Sequence, residues 1–262
     1  MINYKKKSAI LITAGVISSV FSGFAAAESD VKNNYTIGLG YSNSTKYSGS
    51  DERSDGVTPF FNLQYENFFV DDTDGIGFIF ESSNGVYFSQ AVGYSFGRSE
   101  GDSNWRAGSD KLKGMGEIKG TPTSSTTLGW SYGGFLIESN ITAPLAESEG
   151  VKYRGGVKYH LWSNDRNDIL FSSNAYFGDS RYTNTYYGVS KNQSERTGFK
   201  SFNSGAGLYK VDASVTWTHS FNENWWGYAD VTYNNLTKKV NKSDIVMKNN
   251  STDVSVGVLY SF

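Results

Sequence analysis

The sequence predicts an all-β chain, a transmembrane antiparallel β-barrel of about twelve strands, with ten as the alternative count, after a cleaved signal peptide. Three observations carry this reading. The chain opens on a basic and then apolar segment that ends in small residues. Period-two alternation of apolar with polar or small residues recurs along the rest. The last alternating stretch closes on Phe262.

In chain order, Lys5, Lys6 and Lys7 form a positive n-region, and an apolar run follows from Ala9 to Phe24. Ala25, Ala26 and Ala27 supply the small residues of a cleavage site, with the cut expected after Ala27. This divides the chain into a signal peptide, 1–27, and one mature domain, 28–262. With no Cys in the chain, disulfides, thiol chemistry and a lipoprotein anchor are excluded. Losing the three lysines moves the formal charge from −2 to −5, which argues against a nucleic-acid partner. After Ala27 nothing approaches the run of about 20 apolar residues that a spanning helix needs. A chain that crosses lipid without helices must do so as a closed sheet, because only that satisfies every backbone group. The composition, 16% aromatic and 38% hydrophobic with 29 Gly, suits a barrel, although a secreted β-sandwich has similar usage.

Strands are expected near 35–41, 57–66, 68–80, 85–97, 126–132, 134–143, 151–161, 169–178, 184–190, 207–219, 225–236 and 253–262. In the first, Tyr35, Ile37, Leu39 and Tyr41 alternate with Thr36, Gly38 and Gly40. The 68–80 stretch holds the turn-like run from Asp71 to Gly75, and 184–190 is short, so these two are the weakest assignments. In 151–161, Val151, Tyr153, Val157, Tyr159 and Leu161 oppose Lys152, Arg154, Lys158 and His160. In 207–219, Val211, Ala213, Val215 and Trp217 oppose Asp212, Ser214, Thr216 and Thr218. In 225–236, Trp225, Ala229, Val231 and Tyr233 oppose Trp226, Tyr228, Asp230 and Thr232. The last strand sets Val254, Val256, Val258, Tyr260 and Phe262 against Ser255, Gly257 and Ser261, with Leu259 breaking the pattern. Tyr260 and Phe262 there read as a barrel-assembly signal. Aromatic residues at the ends of the apolar faces suit interface girdles, and the polar faces suit a wet lumen. With an even count both chain ends lie in the periplasm. Counting from there makes 222–224 a periplasmic turn and 191–206 and 237–252 external loops, and places 98–125 on the periplasmic side.

Candidate chemistry is sparse. The only histidines, His160 and His219, lie on or beside a polar strand face, and Ser220 next to His219 points to the opposite face, so no nucleophile–base pair is visible. Asp71, Asp72 and Asp74 read as a hairpin turn more readily than a cation site. Lys152, Arg154 and Lys158 form a basic row aimed into the lumen, where acids such as Asp212 and Asp230 can pair with it. Such a row either lines an anion-favouring pore or closes a salt-bridged plug.

A series of motifs then stands together: YSGSDER at 47–53, TPFFNLQYENFFVD at 58–71, GYSFGRSE at 93–100, LKGMGEIKG at 112–120, YYGVS at 186–190, GAGLYKVDASVTW at 205–217, SDIV at 243–246 and the terminal GVLYSF. In this order they resemble the MltA-interacting protein/OmpV family of outer-membrane proteins across essentially all of the mature chain. The sequence departs from that pattern at Asp244, where the family tends to have Pro. The resemblance implies an outer-membrane location and no catalytic residues or cofactors. It also implies a scaffold that joins a lytic murein transglycosylase to a bifunctional penicillin-binding synthase. Porin-like channels and surface adhesins or antigens are the other roles described in the family. On the scaffold reading, the long 98–125 segment becomes a periplasmic docking surface, with Trp105, Leu112, Lys113, Met115, Glu117 and Ile118 as its contact residues.

Overall fold

The computed structural model describes residues 33–146 and 149–262. The expected signal peptide and its cut after Ala27 lie outside the described residues. Twelve strands close into one antiparallel barrel. They are β1 (Asn34–Thr45), β2 (Arg53–Tyr65), β3 (Phe68–Asp71), β4 (Gly75–Glu81), β5 (Val86–Ser95), β6 (Thr121–Tyr132), β7 (Phe135–Pro144), β8 (Lys152–Ser163), β9 (Asn167–Gly178), β10 (Gly207–Ser220), β11 (Trp225–Leu236) and β12 (Asn250–Ser261). Strands follow chain order round the ring, and β12 closes it on β1 in register from Thr36↔Ser261 to Asn43↔Val254. Two short helices, α1 (Ser180–Tyr187) and α2 (Lys191–Thr197), interrupt the β9–β10 connection.

The expected strand count is met, but through two errors that cancel. The 68–80 stretch is two strands, because Asp71 ends the first. Its carboxylate accepts hydrogen bonds from the N–H groups of Thr73 (2.9 Å), Asp74 (2.6 Å) and Gly75 (3.3 Å), which closes the turn. Gly75 takes φ +90°, and a Cβ there would meet the Val92 carbonyl oxygen at 2.3 Å. The 184–190 stretch is no strand. Asp179 accepts from the Tyr182 N–H at 2.7 Å and starts α1 as its N-cap, while Gly188 ends it. Between the two errors every turn changes ends. The long connections, 46–52, 96–120, 145–151, 179–206 and 237–249, all stand at the end opposite the described termini. Short turns at 66–67, 82–85, 133–134, 164–166 and 221–224 form the other rim. Short turns face the periplasm in such barrels. The 98–125 segment is therefore external, which corrects the periplasmic placement expected from the sequence.

Alternation is obeyed on the walls. Val254, Val256 and Val258 are exposed on the outside of β12, as is Phe262 just beyond it, whereas Ser255 and Leu259 are buried inside. Leu259 breaks no pattern, since it packs in the lumen against Phe60, Trp226 and Tyr228. Exposed aromatics crowd the short-turn rim, among them Phe68, Tyr132, Phe135, Trp162, Trp217 and Trp225. A register shift between Leu208 and Lys210 inserts Tyr209 as a bulge and turns its ring inward, where it is buried. Gln90, on the lipid side, is satisfied by neighbours on β6: it donates to Ser124 Oγ (2.8 Å) and accepts from Thr126 Oγ1 (2.6 Å).

The short β3–β4 hairpin leaves a mark on the wall. β2 pairs with β3 only over Asn62–Tyr65, and β4 reaches β5 only up to Ile76↔Val92. Above that level β2 runs on to Arg53 bonded to β1 alone.

Candidate functional site

The barrel interior has an outer plug and a polar lumen beneath it. The plug is built from four external connections, 46–52, 96–120, 179–206 and 237–249. Tyr47, Leu112, Met115, Val189 and Ile245 form one buried cluster, with Phe199 and Phe202 against it. Tyr187, Tyr209, Leu236 and Val240 form a second. The LKGMGEIKG block owes its shape to Gly114 (φ +92°) and Gly116 (φ +81°), which flank Met115 and turn its side chain into the first cluster. Both glycine N–H groups donate to one Glu100 carboxylate oxygen, at 3.0 and 2.8 Å. Arg98 is buried over the Tyr47 ring, 5.9 Å from its centroid, and donates to the Tyr186 carbonyl at 2.6 Å. Burial pushes the Tyr47 and Tyr187 hydroxyls up to about 12, so both stay neutral, and Tyr47 donates to the Ile245 carbonyl. Asp244 accepts from the Lys200 N–H at 2.7 Å and ties the last external loop to the β9–β10 connection.

Of the expected docking residues, Trp105 is 93% exposed, while Leu112, Met115 and Ile118 are buried. Lys113 is exposed, and Glu117 pairs with Arg106 at 2.6 Å. The structure therefore separates the six: Leu112 and Met115 pack in the plug, Ile118 is buried and offers no surface, and Trp105 stands exposed.

Ion pairs pin the 96–120 connection to the β1–β2 loop: Lys46 to Asp102 and Lys111 to Asp51, both at 2.7 Å. The hydrogen bonds from these lysines hold both carboxylates below their ordinary pKa. A lowered folded-state pKa gives a contribution that is present above the unfolded value, near 4, and is lost as pH falls through the folded one. A spin label on Asn104→Cys is accordingly expected to stay immobilised at pH 5 and to loosen below about pH 4. A line shape constant from pH 5 to pH 2 would contradict the pinning.

Below the plug, the basic row lies on the inner face of β8. Arg154 pairs with Glu138 on β7, a partner that sequence reasoning missed in favour of Asp212 and Asp230. Asp212 instead pairs with Lys210 (3.2 Å), and Asp230 accepts from Thr216 and Thr232 (each 2.8 Å). Glu138 also accepts from the Tyr87 hydroxyl at 2.5 Å, and the cross-strand pairs Leu136↔Lys158 and Asn140↔Arg154 set it between the two cations. The signal was in the sequence: Phe135, Ile137 and Ile141 claim the lipid face, which leaves position 138 pointing inward. A cavity of about 380 Å³ lies between this network and the plug, lined by Asp74, Tyr94, Lys152, Arg154, Tyr176 and Tyr209, among others.

The histidines stand near the short-turn rim. His160 Nδ1 lies 2.7 Å from Asp168, and His219 Nδ1 lies 2.8 Å from Asn167. The Asp71–Asp74 run is a turn, and no cluster suited to a metal occurs among the described residues. On the last strand, Tyr260 stacks edge-on between Trp225 and Phe262 (5.0 and 4.9 Å between centroids), and the Phe262 N–H donates to the Tyr35 carbonyl.

A family model described as MltA-interacting protein MipA matches residues 37–262. The chain belongs to that family. It is an outer-membrane β-barrel. No curated protein matches it by sequence. Solved structures similar to this MipA-family barrel include the NanC porin, 10% identical over 86% of this chain and 98% of that one, with a TM-score of 0.48. An outer-membrane channel from Pseudomonas putida F1 is 7% identical over 93% and 100%, with a TM-score of 0.41. The DcaP channel of Acinetobacter baumannii is 8% identical over 91% and 100%, at 0.37. Likenesses this distant say nothing about cargo.

Proposed function

We propose that this barrel acts by binding, without chemistry of its own, and holds peptidoglycan-remodelling enzymes at the inner face of the outer membrane. The partners in this reading are a lytic transglycosylase and a bifunctional penicillin-binding synthase. The observation that carries it is the family match over 37–262, whose description names an interaction with MltA. On this reading the contact lies on the short-turn rim and not on the 98–125 segment, a placement supported by exposed Trp162, Arg166, Phe221 and Glu223, which offer apolar anchors beside charge. Purification from native membranes in mild detergent is expected to recover a murein hydrolase. Arg166→Glu combined with Glu223→Lys should cut that recovery at least tenfold, whereas deleting 104–119 should not. Loss on the deletion alone would reverse the placement, and no murein enzyme in any preparation would end the scaffold reading.

One observation favours a second reading, a small-solute channel: the polar cavity in the lumen. Stepwise conductance in a planar bilayer supports it, and a silent bilayer counts against it.

A further inference from the structure

The wall above the β3–β4 turn is open. Three strand spacings of about 4.8 Å separate β2 from β5 where two strands are missing, a gap of about 14 Å. Residues 53–59 of β2 are exposed on both faces, and a Cβ on inward Gly56 would meet nothing within 4 Å. The Asp72 N–H donates to the Phe61 carbonyl, so odd-numbered β2 residues turn their backbone groups away from β1 and towards the gap. Pro59 falls in that set, and its missing N–H is the one an absent neighbour would have bonded. The gap has four sides: β2, the turn at 72–74, the end of β5, and the 96–120 connection overhead, which bonds Gly108 N–H to the Lys46 carbonyl at 3.1 Å.

This window meets the lumen cavity, since Thr73 and Asp74 of the turn and Tyr94 and Ser95 at the end of β5 also line that cavity. On its outer side stand exposed Val57, Ile76, Val92, Tyr94 and Phe96, with the charged Arg53 and Asp55 on the same face of β2 beyond Val57. Inside, the charges do not all cancel in pairs. Arg154 has Glu138 and Lys210 has Asp212, whereas Lys152 and the Asp74 carboxylate each line the cavity with no hydrogen bond or ion pair among the described residues. Glu149 also lines it, held by the hydroxyls of Ser95 (2.9 Å) and Tyr186 (2.8 Å).

We propose that the window is a lateral portal for a single-chain zwitterionic phospholipid, whose head sits in the cavity between Lys152 and Asp74 while its acyl chain passes between β2 and β5 into the outer leaflet. Lys152 takes the phosphate, Asp74 takes the ammonium, and the chain lies along Val57 and Val92. The size of the cavity selects one small head and not the phosphorylated disaccharide of lipid A.

The test uses the whole mature barrel in dodecyl maltoside, with native mass spectrometry reading retained lipid and heat-modifiable gel mobility confirming closure. Lysophosphatidylethanolamine is expected to be retained at one per chain. Gly56→Trp, which fills the window from inside, should lower retention at least tenfold, as should Lys152→Gln and Asp74→Asn. Val215→Trp on the far wall should leave it unchanged. Thr58→Trp replaces Gly56→Trp should that variant fail to close. Equal retention of monoacylglycerol or of lipid A, or equal loss in Val215→Trp, would overturn the proposal.

Discussion

Glu138→Leu is expected to lower the stability of the barrel by about 3–5 kcal/mol, the range found when one member of a buried ion pair is removed. Glu138 is buried and holds the Arg154 guanidinium and the Tyr87 hydroxyl at once, with Lys158 on the same face of the neighbouring strand. Leucine fills a similar volume, so the loss reports charge left without a counter-charge more than a void. The double variant Glu138→Leu/Arg154→Leu should recover part of the loss, because an apolar pair of comparable bulk often equals a buried ion pair. Urea midpoints of the closed-to-open mobility shift, in lipid, measure both. A single variant as stable as the parent would show that lumen water already screens these charges.

Leu112→Ala is expected to cost the outer plug about 2–5 kcal/mol, the usual range for emptying a fully buried leucine site. Leu112 has no exposed surface and packs among Tyr47, Met115, Val189 and Ile245, each from a different stretch of chain except Met115. The loss should appear as local release and leave the strand register in place, since the cluster lies outside the β-ladders. Trypsin should then cut at Lys111 and Lys113 at least tenfold faster, with the closed mobility of the barrel retained. Unchanged cleavage would mean that the ion pairs to the β1–β2 loop hold the plug without its apolar centre.

The walls were legible in the sequence wherever alternation ran for eight residues or more, as in β10, β11 and β12, because a lipid-facing and a lumen-facing set leave little freedom. Legibility failed where local hydrogen bonds by side chains outweighed periodicity. Asp71 closes a turn inside an apolar run, and Asp179 starts a helix just before a tyrosine-rich run that resembles a strand. Since each strand reverses direction, one missed turn moved the 98–125 segment from one side of the membrane to the other. The basic row was visible from β8 alone, but its partner Glu138 required the register with β7. The window was not visible at all, because it arises from strands that stop at different heights.

The seam between β1 and β12 has a consequence for biogenesis. Its partners, such as Thr36 and Ser261, lie 225 positions apart, and their hydroxyls meet at 2.8 Å. The first strand of the wall stays without its closing neighbour until the twelfth is in place, which makes this pairing the costliest in loop closure. Truncation by even one hairpin should yield an aggregating species, not a smaller pore.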